Sequence, residues 1–207
     1  MCGTTRLKDA LAAVSYGVDA LGFIFYDKSP RHIDSAAAAR ILAQLPPFID
    51  RVAVFVNASL DEVHSTAGLG FSYVQLHGSE SADYCRKIRR QSPTLGIIKA
   101  FRVGEESRAD DFSPYNDCVD AFLLDTLATG AHGGTGKVFD WSIIGQLQLQ
   151  RPIILAGGLS PANVVDAITR VQPFAVDINS GVESQPGVKD HVRLRDLLRL
   201  VYQTTLL

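Results

Sequence analysis

The chain has 207 residues, 46% of them hydrophobic and 20% charged, with a formal charge of −2 at pH 7. That is enough for one sizeable core and short for two ordinary domains, so a single domain over residues 1–207 is expected. The near-neutral balance leaves no basic face: the densest cationic cluster, Arg86, Lys87, Arg89 and Arg90, falls on one predicted helix, which points to a solvated helix face and away from a nucleic-acid partner. Cys2, Cys85 and Cys118 form no CxxC pair and argue for a reducing compartment. With no apolar run of about 20 residues and no signal peptide at its start, the chain reads as cytoplasmic, with no membrane partner.

In chain order, short apolar or β-branched runs alternate with segments of helical period. The runs Ala20–Phe25, Arg51–Val56, Tyr73–Leu76, Gly96–Phe101, Ala121–Leu124, Ile153–Ala156 and Phe174–Ile178 suit strands buried on both faces. Helices are expected at Leu7–Tyr16, Ser35–Leu45, Leu60–Ala67, Ser81–Arg90, Ser142–Leu149, Pro161–Val171 and His191–Tyr202. Ser59-Leu60-Asp61-Glu62 reads as a capping box, Ser160-Pro161 as an N-cap with proline at the first helical position, and Gly17 and Gly68 as C-caps. The polar segment Val103–Asn116 predicts a crossover helix that is short or absent.

Such alternation implies parallel βαβ units. Seven strands plus a stub at Met1–Cys2 make eight, and about 200 residues is the lower end for a (β/α)8 TIM barrel, here with a truncated first strand. No GxGxxG follows a first strand to argue for an open dinucleotide-binding sheet. A stub that short leaves ladder groups on its two neighbours without partners and puts Cys2 at a frayed chain end.

Polar or glycine-rich residues follow nearly every strand, and in a barrel they share one rim. Two consecutive runs end in glycine turns, at Gly157-Gly158-Leu159-Ser160-Pro161 and at Asn179-Ser180-Gly181-Val182. Glycine lets backbone N–H groups approach a ligand, and a helix start behind such a turn adds donors, so a phosphate site is expected at Gly157, Gly158, Ser180 and Gly181. Asp125 ends an otherwise apolar run, where partial burial is expected to raise its pKa and keep it able to donate a proton; capping the following turn would also explain it. Cys2 precedes the loop Gly3-Thr4-Thr5-Arg6 and is either a rim thiolate acting as a base or a small buried hydrophobe, the fate also expected for Cys85 and Cys118. Arg31 could hold a carboxylate bidentately or form a surface salt bridge. His77 could line the site, whereas His32, His64, His132 and His191 lack the spacing of metal ligands, so no metal is inferred. Thr129–Lys137 is glycine-rich and reads as a lid or a linker.

These segments carry a family resemblance. Cys2-Gly3-Thr4-Thr5-Arg6, Gly22-Phe23-Ile24-Phe25 with Ser29-Pro30-Arg31, Val54-Phe55-Val56-Asn57, Gln75-Leu76-His77-Gly78-Ser79-Glu80, Leu123-Leu124-Asp125, Gly134-Thr135-Gly136 with Phe139-Asp140-Trp141, Leu155 to Val164, and Asp177 to Gly181 with Gly187-Val188-Lys189-Asp190 occur in this order. In that set the chain resembles the phosphoribosylanthranilate isomerases of tryptophan biosynthesis over essentially its whole length. Two departures are the short first strand and Asn179, where the family commonly has serine.

The resemblance implies a (β/α)8 barrel that catalyses, without a cofactor, the Amadori rearrangement of N-(5-phosphoribosyl)anthranilate to 1-(2-carboxyphenylamino)-1-deoxyribulose 5-phosphate. It implies Asp125 as the general acid that opens the furanose ring to a Schiff base and Cys2 as the base that removes the C2′ proton. It further implies Arg31 against the anthranilate carboxylate, His77 and Asp177 as substrate-binding rim residues, and the four glycine-loop residues against the phosphate. The partner expected is the small-molecule substrate, and the chain is expected to work as a monomer or a homodimer. The residues alone also allow a sugar-phosphate-binding barrel without turnover, or an aldose–ketose isomerase of the histidine-pathway type.

Overall fold

The computed structural model describes residues 1–125 and 141–205. Seven parallel strands run in sequence order through one sheet: β1 (Ala20–Ile24), β2 (Asp50–Phe55), β3 (Tyr73–Leu76), β4 (Gly96–Arg102), β5 (Ala121–Asp125), β6 (Ile153–Ala156) and β7 (Ala175–Val176). The helices are α1 (Leu7–Ser15), α2 (Ser35–Leu42), α3 (Leu60–Ala67), α4 (Ala82–Gln91), α5 (Ser142–Gln146), α6 (Val164–Val171) and α7 (His191–Thr205). Where the fifth crossover helix was expected to be short or absent, two 3-10 turns stand at Ala109–Asp111 and Ser113–Tyr115.

The stub closes the sheet into a (β/α)8 barrel. Met1 N donates to Ala20 O at 2.9 Å and Gly22 N to Met1 O at 2.8 Å, and Thr4 N donates to Gly22 O at 2.9 Å, which ties the chain start to β1. On the other side Cys2 N donates to Ile178 O at 2.9 Å, just past β7. The expected fraying of Cys2 is therefore not seen, since the residue is only 6% exposed. Below the stub lies a groove of about 260 Å³ lined by Met1, Ala20, Phe174, Val176 and Leu198.

Period-2 alternation sorts the strands into two cores. Inward-facing Cys2, Val52, Val54, Ile98, Ala100, Ala121, Leu123 and Ala156 fill the barrel, while Phe23, Phe55, Leu76, Ile97, Phe122 and Leu155 face the helices. The interior residues are small where strands crowd. A Cβ on Gly22 would lie 3.0 Å from Cys2 Sγ, so glycine there makes room for the thiol.

Local chemistry sets most boundaries, with several departures from the sequence expectation. Asp34, Ser59 and Ser81 cap α2, α3 and α4 by accepting from Ala37, Glu62 and Tyr84 N–H; at Ser59 this is one of the two bonds of the expected capping box. Gly17 ends α1 at φ +91°, as expected of a left-handed C-cap. Gly68 ends α3 but is right-handed at φ −59°; the left-handed turn falls to Gly70 at φ +101°. Ser160-Pro161 does not open α6. Ser160 N is taken by the Asn163 side chain at 2.8 Å, so residues 161–163 form a turn and the helix begins at Val164. An antiparallel hairpin absent from the sequence expectation, β8 (Glu183–Gln185) with β9 (Val188–Lys189), turns at Gly187, whose φ is +78°. The basic face of α4 is matched by acids: Arg86 pairs with Asp83 and Asp117, and Arg89 with Asp120.

Candidate active site

Because side chains alternate along each strand, the residues that end the strands on the inward face converge on one mouth. Asp125 closes β5, His77 follows β3, Asp177 follows β7 and Cys2 sits on the stub. His77 Nε2 lies 3.6 Å from Asp125 Oδ2, with the two side chains 28% and 16% exposed. Below them a cavity of about 100 Å³ is lined by Cys2, Gly22, Gln75, Ile98, Leu123 and Asp177.

Cys2 was expected as a rim thiolate or as a small buried side chain; it is buried, and its surroundings favour the protonated form. Burial, and then the carboxylate of Asp177, push its thiol up to about 12, more than the opposing pull of the chain's amino group and Lys189 can offset. With no ligand present it is a neutral thiol at neutral pH. Asp177 is also raised, first by burial and further by Asp125, against the amino group of Met1, Lys189 and His77.

Arg31 sits in the turn after β1, its N–H bonded to Ser29 Oγ at 3.1 Å. Its guanidinium is neither free nor in a surface salt bridge: Nε and Nη2 fork onto the carboxylate of Glu183, with Nη2–Oε2 at 2.7 Å and Glu183 almost wholly buried. Glu183 also accepts from Lys189 Nζ at 2.9 Å and from Gly187 N at 3.2 Å. Burial raises this carboxyl, but hydrogen bonds from Arg31 and Lys189 outweigh it and hold the group below the ordinary carboxylate range. Lys189 also donates to Asn179 Oδ1 at 2.9 Å, so the oxygen of the Asn179 amide is spent inside the protein. The fork leaves Arg31 Nη1 and the second N–H of Nη2 for another acceptor.

The two glycine turns come together at the same end. Gly157 and Gly158 are left-handed at φ +98° and +66°, and residues 180–182 form a single 3-10 turn. A Cβ on Gly181 would run into the Leu159 carbonyl oxygen, so only glycine lets the two loops approach this closely. The backbone N–H groups of Gly157, Gly158, Ser180 and Gly181 meet no acceptor among the described residues.

Other rim residues flagged by the sequence turn out to be scaffold. Asn57, left-handed at φ +53°, accepts from Ser79 N at 2.8 Å, while Asn57 N and Gly78 N donate to buried Glu80. Glu80 pairs with buried Lys99 at 3.1 Å, and Lys99 also donates to the carbonyls of Leu76, Gly78 and Ala100. This lattice fixes the loop that carries His77. Strand periodicity gives no sign of Lys99, which faces outward from β4 among apolar neighbours, nor of Glu183, 152 residues from its partner Arg31. The lid segment Thr129–Lys137 lies outside the described residues.

Such an arrangement defines a class, that of (β/α)8 barrels with an amide cradle on one side of the C-terminal mouth and a cluster of ionisable groups beside it. The family model described as N-(5'phosphoribosyl)anthranilate (PRA) isomerase matches residues 1–199. The chain belongs to the phosphoribosylanthranilate isomerase family. The N-(5'-phosphoribosyl)anthranilate isomerase of Citrifermentans bemidjiense is 50% identical over 200 residues, spanning 96% of this chain and 93% of that one. The Thermotoga maritima phosphoribosyl anthranilate isomerase structure superposes with a TM-score of 0.85 at 42% identity, covering 100% of this chain and 98% of that one. A phosphoribosyl anthranilate isomerase in complex with reduced 1-(o-carboxyphenylamino)-1-deoxyribulose 5-phosphate gives 0.83 at 40% identity, with 98% and 96% covered.

Proposed function

We propose that this chain catalyses the Amadori rearrangement of N-(5-phosphoribosyl)anthranilate in tryptophan biosynthesis, with Asp125 as general acid and Cys2 as general base. The observation that carries the reading is the convergence on one mouth of an amide cradle, a carboxyl beside a histidine, and an inward thiol in a chain of this family. Asp125 protonates the furanose ring oxygen, the ring C–O bond breaks, and the anthranilate nitrogen lone pair forms the iminium. Cys2 passes its own proton to the neighbouring carboxylate of Asp177 and, as the thiolate, takes the C2′ proton; the resulting enolamine is protonated at C1′ as the C2′ hydroxyl gives up its proton and becomes the ketone. The anthranilate nitrogen is itself the electron sink, so the mechanism draws on no cofactor.

In this reading the amides of Gly157, Gly158, Ser180 and Gly181 hold the phosphate, and the unused N–H groups of Arg31 take the anthranilate carboxylate. His77 and Asp177 flank the sugar. No helix among the described residues is long and apolar enough to cross a membrane, in keeping with a cytoplasmic enzyme. A Thermotoga maritima relative is described as dimeric, which supports the homodimer over the monomer; light scattering at micromolar concentration decides.

Phosphoribosylanthranilate is fluorescent, and the purified protein is expected to abolish its signal catalytically. Cys2→Ser and Asp125→Asn should each lose at least ~100-fold in rate. Near-native rates in either variant would overturn that assignment. Binding without decay would reduce the protein to a sugar-phosphate-binding barrel, and turnover only of the histidine-pathway aminoaldose would move it to that reaction.

A further inference from the structure

Gln75 and His77 are two residues apart at the end of β3, so both side chains face the barrel interior. Gln75 is only 4% exposed, an amide among Val52, Ile98 and Leu123 around the inner cavity. A buried amide without a partner is costly. Its partner here is the site histidine, with Gln75 Nε2 3.0 Å from His77 Nδ1.

An amide nitrogen can only donate, so Nδ1 is the acceptor and the single proton of the neutral ring is on Nε2. Nε2 is the atom that faces Asp125 Oδ2, at 3.6 Å. We propose that Gln75 is a positioning residue: it holds His77 in the tautomer whose Nε2–H points at the carboxyl group of Asp125, where it stabilises the carboxylate left after proton donation. The inference rests on Asp125 being the acid, as proposed above, and adds how that acid is made strong enough.

The chemistry calls for such help. An ether ring oxygen is a very weak base, so the acid that protonates it needs a stabilised conjugate base. A charge-assisted N–H···O⁻ bond is roughly twice as strong as a neutral one. A gap of 3.6 Å is just beyond hydrogen-bond length, so the bond shortens as charge develops on Asp125 and strengthens in the transition state more than in the ground state. The other tautomer would turn a lone pair toward Asp125 and repel the anion. Among the described residues, Asp177 after β7 is coupled to both His77 and Asp125, and Cys2 lines the inner cavity beside Gln75.

The test pairs spectroscopy with kinetics on the full chain. In the wild type, ¹⁵N-edited NMR of the imidazoles near pH 8 is expected to show His77 protonated at Nε2. Gln75→Met keeps the volume and removes the donor, and kcat should fall by ~5–10-fold, the worth of one hydrogen bond, with KM within ~2-fold. Gln75→Glu replaces the donor with an acceptor and enforces Nδ1–H, so kcat should fall by at least ~30-fold although the side chain is nearly isosteric. A wild-type ring protonated at Nδ1, or equal kcat in all three proteins, would overturn the proposal. If the wild type turns over no phosphoribosylanthranilate, the functional reading fails, while the NMR tautomer and its loss in Gln75→Glu still test the Gln75–His77 link separately.

Discussion

The buried thiol of Cys2 carries a measurable stability signature at alkaline pH. Its pKa is pushed from the ordinary 9.0 to about 12, chiefly by burial, whereas in the unfolded chain it ionises at its ordinary value. Below pH 9 both states hold the proton and the thiol contributes no pH dependence. Between about 9 and 12 only the unfolded state gives the proton up, so stability falls as pH rises, by about 1.4 kcal/mol per pH unit. At pH 10.5 the wild type should therefore have lost about 2 kcal/mol more than Cys2→Ser, whose hydroxyl does not titrate. For a chain of this size that is a differential drop of roughly 4–8 °C in Tm. Urea unfolding of both proteins at pH 8, 9, 10 and 10.5 measures it, and the raised tyrosine and cysteine groups elsewhere cancel in the difference. Parallel stability curves would refute the reasoning, because they would mean that Cys2 titrates in the folded protein as it does in water.

Glu183→Gln leaves Arg31 and Lys189 facing a neutral amide; with one partner of a buried ion pair removed, stability should drop by about 3–5 kcal/mol, and KM for phosphoribosylanthranilate should rise more than kcat falls, as steady-state fluorescence kinetics would show. Gly181→Ala drives a methyl group into the Leu159 carbonyl; the two loops must part, and inorganic phosphate, assayed as a competitive inhibitor, should bind at least ~10-fold more weakly, unchanged inhibition placing the phosphate elsewhere. Lys99→Met should cost about 3–5 kcal/mol in chemical denaturation and Lys99→Met with Glu80→Leu less than the sum of the single changes; additive losses would show that the pair at 3.1 Å is not energetically coupled.

What could be read from the residues follows a physical division. The barrel was legible because parallel strands buried on both faces are continuous apolar runs: Tyr73–Leu76 and Ile153–Ala156 have the expected bounds, and α3 begins and ends as expected. Boundaries failed where a side chain overrode local propensity. Asn163 captures Ser160 N–H and delays α6 by three residues past Pro161, and of the run Phe174–Ile178 only Ala175–Val176 is regular strand: Phe174 turns out to solvent, 80% exposed, while Asp177 and Ile178 still bond to Leu155 and Cys2. Site residues ending a strand were legible from a polar group closing an apolar run, as at Asp125. Their partners were not: Glu183 reaches Arg31 across 152 residues through a hairpin with no strand-like pattern, and nothing in the run Tyr73–Leu76 marks Gln75 as the partner of His77. The protonation state of Cys2 was out of reach as well, because it depends on how completely the stub is covered, which no local pattern encodes.

The distribution of charge at the mouth orders the proposed reaction. The two cations on its flank, Arg31 and Lys189, are bound to one carboxylate, Glu183, which leaves a net single positive charge to meet the anthranilate carboxylate. In the proposed arrangement the phosphate meets uncharged amides, and the sugar lies among Asp125, Asp177 and the neutral thiol of Cys2. In that arrangement the anionic ends of the substrate meet donors, and the reacting centre meets the groups that exchange protons with it. A thiol at about 12 is no base toward the ring-closed substrate, and this protects the C2′ proton until it is acidic enough to remove. In the proposed sequence Asp125 opens the ring, the iminium brings a full positive charge next to C2′, and that charge pulls the thiol down from about 12 while acidifying the proton it is to take. In this proposal the product of the acid's step is what favours the thiolate form of the base. Ring opening must then precede deprotonation, and a substrate that cannot form the iminium should leave Cys2 protonated in the complex.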